Sequence, residues 1–237
     1  MKMRALAVGF AVLVGIASQP AGATTLTTYT DQTAFNATTT VATQTFGFLS
    51  STIGIGGGVS ETNTLNSATN DGFISPGDIL AGLSISPTAG EIALLGPDFE
   101  GSERTNYSVF QGLDFTLDPG VTAFSLGVLS YPSLADATVS VYDPGSLLLG
   151  SFTISGAPSS GVGEFFGVTT DGSDTIGSVI LSPSTAMRFT GVDQIQFGQS
   201  EGIPEPGSLL MLALGLAGLG GMVHLKSRKL TAVPSQV

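Results

Sequence analysis

Two Asp-Pro-Gly triplets, Asp118-Pro119-Gly120 and Asp143-Pro144-Gly145, each follow a run in which apolar residues take every second position. Leu113, Phe115 and Leu117 precede the first, and Val139 and Val141 precede the second. Proline fixes φ and lacks an N–H donor, aspartate bonds to backbone just ahead of it, and glycine tolerates the turn, so neither triplet extends a regular element. Alternation with period two places one set of side chains against a core and the other toward water. Phe124, Leu126 and Val128 repeat the pattern, and residues 148–154, 164–169, 175–182 and 192–197 continue it at the spacing of antiparallel strands. These runs predict an all-β ectodomain over residues 24–200, a single β-sandwich or jelly roll. Earlier strands are expected at 41–49, 79–85 and 91–95, among longer polar loops. The glycine-rich stretch 53–59 lacks the Gly-Lys-Ser/Thr that grips phosphates and reads as a loop.

Charge narrows the partners. Only 11% of the chain is charged, and five of its seven basic residues lie near the two ends. Between Thr24 and Ile203 stand two arginines, Arg104 and Arg188, against seventeen carboxylates and no lysine. Such a body repels nucleic acid and anionic lipid, whereas hard cations such as calcium suit it. The chain contains no cysteine, which excludes disulfides, thiol catalysis, Cys-based zinc sites and lipoprotein acylation.

Both ends carry segments unlike the middle. Lys2 and Arg4 precede thirteen apolar residues, Ala5 to Ala17, and Ala21-Gly22-Ala23 offers the small residues of a cleavage site. Thirteen helical residues rise only about 20 Å, short of a hydrocarbon core about 30 Å thick. Residues 1–23 therefore read as a secretory signal peptide cut after Ala23, with Ala21 and Ala23 at the recognition positions. At the other end, Pro204-Glu205-Pro206 precedes a nearly uncharged apolar run, and Lys226, Arg228 and Lys229 follow it. Residues 207–225, taken as helix, span about 28 Å, enough for one membrane crossing. The basic cluster after them keeps that end cytoplasmic, which sets the body on the far side of the membrane. The two prolines hold Glu205 in an extended linker just outside it.

The order of Pro-Glu-Pro, apolar helix and basic cluster resembles the PEP-CTERM sorting signal of Gram-negative bacteria. That resemblance implies that an exosortase is the partner of residues 201–237, with Pro204, Glu205 and Pro206 as recognition motif, the helix as transient anchor, and Lys226, Arg228 and Lys229 as stop. The chain departs from the usual pattern by continuing through 231–237. Gly215, Gly218, Gly220 and Gly221 allow close helix packing against a membrane protease, and they equally fit ordinary tail composition. The run from Gly120 to Gly198 is similar to ectodomains found ahead of such tails, in style like carbohydrate-binding sandwiches. The resemblance implies a protein delivered to the cell surface or beyond and associated with exopolysaccharide or biofilm, without enzymatic activity. The alternative is a secreted protein that binds or hydrolyses polysaccharide.

Several patterns invite chemistry. Gly198-Gln199-Ser200-Glu201-Gly202 matches a nucleophile elbow, yet the sole histidine, His224, lies in the tail, so no triad forms and a polar linker is expected. Asp98 with Glu100, and Asp171 with Asp174, have the oxygen spacing of calcium ligands and equally that of plain turns. Glu164 borders an apolar strand and is the one candidate for a glycosidase carboxylate, although nothing in the sequence names its partner. No other cofactor is expected. Absent tryptophan and only four tyrosines leave few stacking platforms for sugar rings.

Overall fold

The computed structural model describes residues 24–54, 57–61, 64–96, 107–110, 112–131, 135–157, 163–171, 174–183 and 189–201. The signal segment 1–23 with Ala21 and Ala23 lies outside them. So do Asp98, Glu100, and the tail 202–237 with Pro204, Glu205, Pro206, Lys226, Arg228 and Lys229. Among the described residues, thirteen strands and two short helices follow one another. The first six strands are β1 (Leu26–Tyr29), β2 (Thr39–Gln44), β3 (Gly58–Glu61), β4 (Leu83–Pro87), β5 (Ile92–Leu95) and β6 (Tyr107–Phe110). Then come β7 (Leu113–Leu117), β8 (Ala123–Tyr131), β9 (Ala135–Tyr142), β10 (Leu148–Ala157), β11 (Glu164–Thr170), β12 (Ser178–Pro183) and β13 (Phe189–Ser200). Helix α1 (Gln32–Asn36) falls between β1 and β2, and α2 (Leu49–Thr52) between β2 and β3.

The last eight strands pair as a nested series. β9 pairs β10, β8 pairs β11, β7 pairs β12 and β6 pairs β13, all antiparallel. Successive pairs fall in opposite sheets, giving the order β11-β8-β13-β6 in one and β10-β9-β12-β7 in the other. A long hairpin rolled over itself produces this order, which is the jelly roll. The remaining strands extend its edges: β1 joins β11, β5 and β3 lie beyond β6, β4 joins β7, and β2 pairs the second half of β13.

The two sheets share one apolar core. Leu113, Phe115 and Leu117 from β7, Val139 and Val141 from β9, and Val179 and Leu181 from β12 meet Phe124, Leu126 and Val128 of β8. Across the sheets the Phe115 and Phe124 rings lie 5.5 Å apart, as do those of Phe152 and Phe166. Each such side chain contributes about 1.5–3 kcal/mol through burial, so this layer dominates the fold's stability. A smaller cluster covers the outside of the larger sheet. There Asp31 caps α1 by accepting from the Ala34 N–H at 2.8 Å, and the fully buried Phe35 ring stands 5.5 Å from Tyr29 and 5.8 Å from Phe165.

Several expected strands differ in extent: the runs expected at 192–197 and 148–154 are longer, as β13 (Phe189–Ser200) and β10 (Leu148–Ala157), and three others start or end elsewhere. The strand expected over 41–49 ends at Gln44, and Phe46, Leu49 and Ile53, all buried at spacings of three and four, belong to the turn and helix around α2. The strand expected from 79 begins at Leu83, after turns at Gly77 and Gly82 that take positive φ. The one expected from 175 begins at Ser178, because the Ile176 and Gly177 N–H groups bond to Val121 and Tyr142 carbonyls rather than to a ladder. Part of the glycine-rich stretch read as a loop forms β3, in register with β5. Among the described residues no helix is long and apolar enough to cross a membrane, and the span expected at 207–225 falls outside them.

Candidate functional site

A bulge in β13 shapes one polar cleft. Asp193 opposes Gly127 of β8 and Gln196 opposes Ser125, so three steps along β13 match two along β8. Gln194 absorbs the extra residue at φ +53°, a region that non-glycine residues seldom enter. The bulge shifts side-chain parity: Val192 and Ile195, three apart, are both in the core, and Gln196 is buried on the other face. Gln194 then turns toward α1, where its Oε1 accepts from Gln32 Nε2 at 3.3 Å. Beneath it the Ser125 hydroxyl donates to Gln196 Oε1 at 2.9 Å, and Gln196 Nε2 donates to Thr43 Oγ1 at 3.2 Å.

The resulting cavity of about 300 Å³ is lined by Asp31, Gln32, Gly127, Glu164, Phe165 and Gln194, among others. Glu164 therefore does stand in a cleft with a second carboxylate. That second group, Asp31, already accepts the helix-capping bond from Ala34. The cleft is otherwise furnished with amides, which donate and accept hydrogen bonds without titrating.

The other sequence candidates are dispersed. Ser200 ends β13 inside a ladder, its hydroxyl bonded to Thr122 Oγ1 at 3.2 Å and to the Thr170 carbonyl at 3.3 Å, so no nucleophile elbow exists there. Gly198 of the same motif has a packing reason: a Cβ there would collide with the Thr40 carbonyl of β2. Asp171 and Asp174 follow β11 and meet the start of the chain's described part. Asp174 accepts from the Thr24 hydroxyl, and Asp171 from the Thr25 N–H at 3.5 Å. Among the described residues no group of three or more His, Cys, Asp or Glu side chains is placed to hold a metal ion. The amide network was hidden in the sequence, since Gln32, Gln194 and Gln196 carry no motif.

The described chain leaves the sheet at Glu201, whose N–H bonds to the Thr38 carbonyl at 2.8 Å. The body described up to that point is all-β. Residues 202–226 match the family model of the PEP-CTERM protein-sorting motif. The chain thus carries a PEP-CTERM sorting domain, which marks an exported protein processed by an exosortase. The match includes Pro204, Glu205 and Pro206 and ends at Lys226, the first residue of the basic cluster.

No curated protein matches the chain. Among solved structures, the enzymatically active domain of tailspike protein 4 from bacteriophage CBA120 is similar at 16% identity and a TM-score of 0.21. The match covers 48% of this chain and 18% of that one, so it transfers neither fold nor activity.

Proposed function

We propose that the protein is a non-enzymatic component of the cell surface or extracellular matrix, associated with exopolysaccharide or biofilm material. In this reading a signal peptide ending at Ala23 starts export, and the helix 207–225 holds the chain in the inner membrane with its body outside. The exosortase then acts near Pro204–Pro206. The observation that supports a non-catalytic body is the engagement of Asp31: of the two carboxylates in the cleft, one is committed to capping α1. A glycosidase needs both, one as acid and one as base or nucleophile.

The test is fractionation of the producing cells. Washed exopolysaccharide should retain the protein, and its intact mass should lack the residues after the Pro-Glu-Pro motif. Recovery of the protein only from the wash, or in a form still carrying residues 207–237, would sink the reading.

The shared cleft gives the hydrolase alternative one point of support, since Glu164 and Asp31 both line it. New reducing ends released from that polysaccharide by the wild type, and abolished by Glu164→Gln, would establish it.

A further inference from the structure

The outward face of the five-stranded sheet is a lattice of hydroxyls. Reading across the strands, Ser86, Asp114, Ile180, Ser140 and Ser151 stand in one row, and Ser84, Thr116, Ser178 and Tyr142 in the next. Strands about 4.8 Å apart make the spacing regular. Where β7 and β12 meet the turn after β9, a cavity of about 300 Å³ opens, lined by Asp114, Thr116, Asp143, Ser146 and Ser178 among others.

Asp114 is the anomaly in this lattice. Its Oδ1 is buried and has no hydrogen-bond partner. Its neighbours in the row do not supply one: Ile180 is apolar, and the Ser86 hydroxyl is paired with Thr64 Oγ1 at 2.8 Å. A buried acceptor without a donor has given up its hydration for nothing in return. Asp114 itself lines the cavity, so a donor arriving there meets a carboxylate with an unfilled acceptor. Asp143 plays a different part, its Oδ1 accepting the Leu147 N–H at 2.7 Å to shape the turn.

That turn also supplies apolar surface. Leu147 and Leu148 are 66% and 50% exposed, the large hydrophobic residues left in solvent among those described. Those leucines adjoin Ser146 in sequence without lining the cavity; what the cavity presents is hydroxyls and a carboxylate in want of a donor, which match the O–H groups at the rim of a sugar ring. Charge selects further: with seventeen carboxylates against two arginines between Thr24 and Ile203, an anionic polymer is repelled.

We propose that this cavity is a subsite for a neutral, hydroxyl-rich glycan, with Asp114 accepting a sugar hydroxyl and Thr116, Ser146 and Ser178 meeting its neighbours. The inference rests on the exopolysaccharide reading above and adds a site and a chemical class to it. The experiment is affinity electrophoresis of the full-length chain in detergent through gels containing dextran, mannan or galactan. At least one should retard the wild type. Asp114→Leu and Thr116→Val should each weaken that retardation at least tenfold, while Thr27→Ala, on an edge strand of the other sheet, should leave it within twofold. Circular dichroism would confirm that the variants fold, and the pair of independent variants keeps the test decisive if one does not. Retardation unchanged by both variants would overturn the subsite and leave the exopolysaccharide association standing. Failure of all three polymers to retard a protein that does cofractionate with matrix would overturn the neutral-glycan class alone.

Discussion

Ser125 and Gln196 face each other across β8 and β13, joined by a 2.9 Å hydrogen bond from hydroxyl to amide oxygen, and both are almost fully buried. The pair lies immediately after the β13 bulge. It locks the register there, because a one-residue slip would carry Ile195 out of the core and Gln196 into it.

Replacing Gln196 by Leu should therefore destabilise the protein although it adds apolar volume. The buried Ser125 hydroxyl loses its acceptor, at about 1–3 kcal/mol, whereas the exposed Thr43 hydroxyl turns to water. Thermal unfolding should drop by roughly 2–4 °C for each kcal/mol lost. Adding Ser125→Ala should recover part of it, and strict additivity of the two changes would show that they do not interact.

Asp114 should make stability depend on pH. Burial raises its carboxyl above the ordinary value of 3.8. A raised folded pKa favours the protonated form, so the native state is best served below the unfolded value and loses that advantage as pH climbs through the folded one. Asp114→Asn should then be neutral or stabilising at pH 7. Because the group is only half buried and partly screened by solvent, the gain should stay below about 1 kcal/mol. Melting curves at pH 3 and pH 7 that differ by the same amount in wild type and variant would refute this coupling.

Gly177 holds the wall of the glycan cavity in place. A Cβ at this position would lie 2.5 Å from Pro144 Cα, a backbone contact that cannot rotate away. Gly177→Ala should push the turn after β9 off the sheet, at about 1–3 kcal/mol for overpacking. Its signature is a lowered melting temperature together with weakened glycan retardation; an unchanged melting temperature would refute the packing argument.

Asp174 should matter at one edge. Its carboxylate takes the Thr24 hydroxyl and thereby secures the chain just ahead of β1, which among the described residues is an edge strand paired to β11 alone. Asp174→Ala should speed amide hydrogen exchange over Leu26–Tyr29 while leaving β8 and β13 protected. Equal exchange in both proteins would mean that β1 is held by its ladder alone.

The C-terminal half of the fold was legible because its strands obey one rule. β7, β9 and β12 bury every second residue, and the Asp-Pro-Gly triplets mark where β7 and β9 stop. β8 is recognisable less for its alternation than for its apolar run, since residues from Ala123 through Leu129 are buried on both faces. The β13 bulge escapes a period-two reading, because Val192 and Ile195 share a face at an odd spacing that only the partner strand explains. Helix α1 spans five residues, too few to show a helical period, although Asp31 three residues ahead of Ala34 gives the capping signal. Edge strands β1 and β3 have four residues each and borrow their order from β11 and β5. The site was the least legible part: Asp114 looks like any polar position in an alternating strand until its neighbours in the row are known.

The place where β13 ends has a mechanical meaning. Its last residues pair with β8 on one side and β2 on the other, so the polypeptide departs from the middle of a sheet rather than from a free edge. A pull on the tail along that strand loads two ladders in shear, and many bonds must yield together before the strand slides. Were the tail held in a membrane as proposed, drag on the body would fall on a strand supported on both sides.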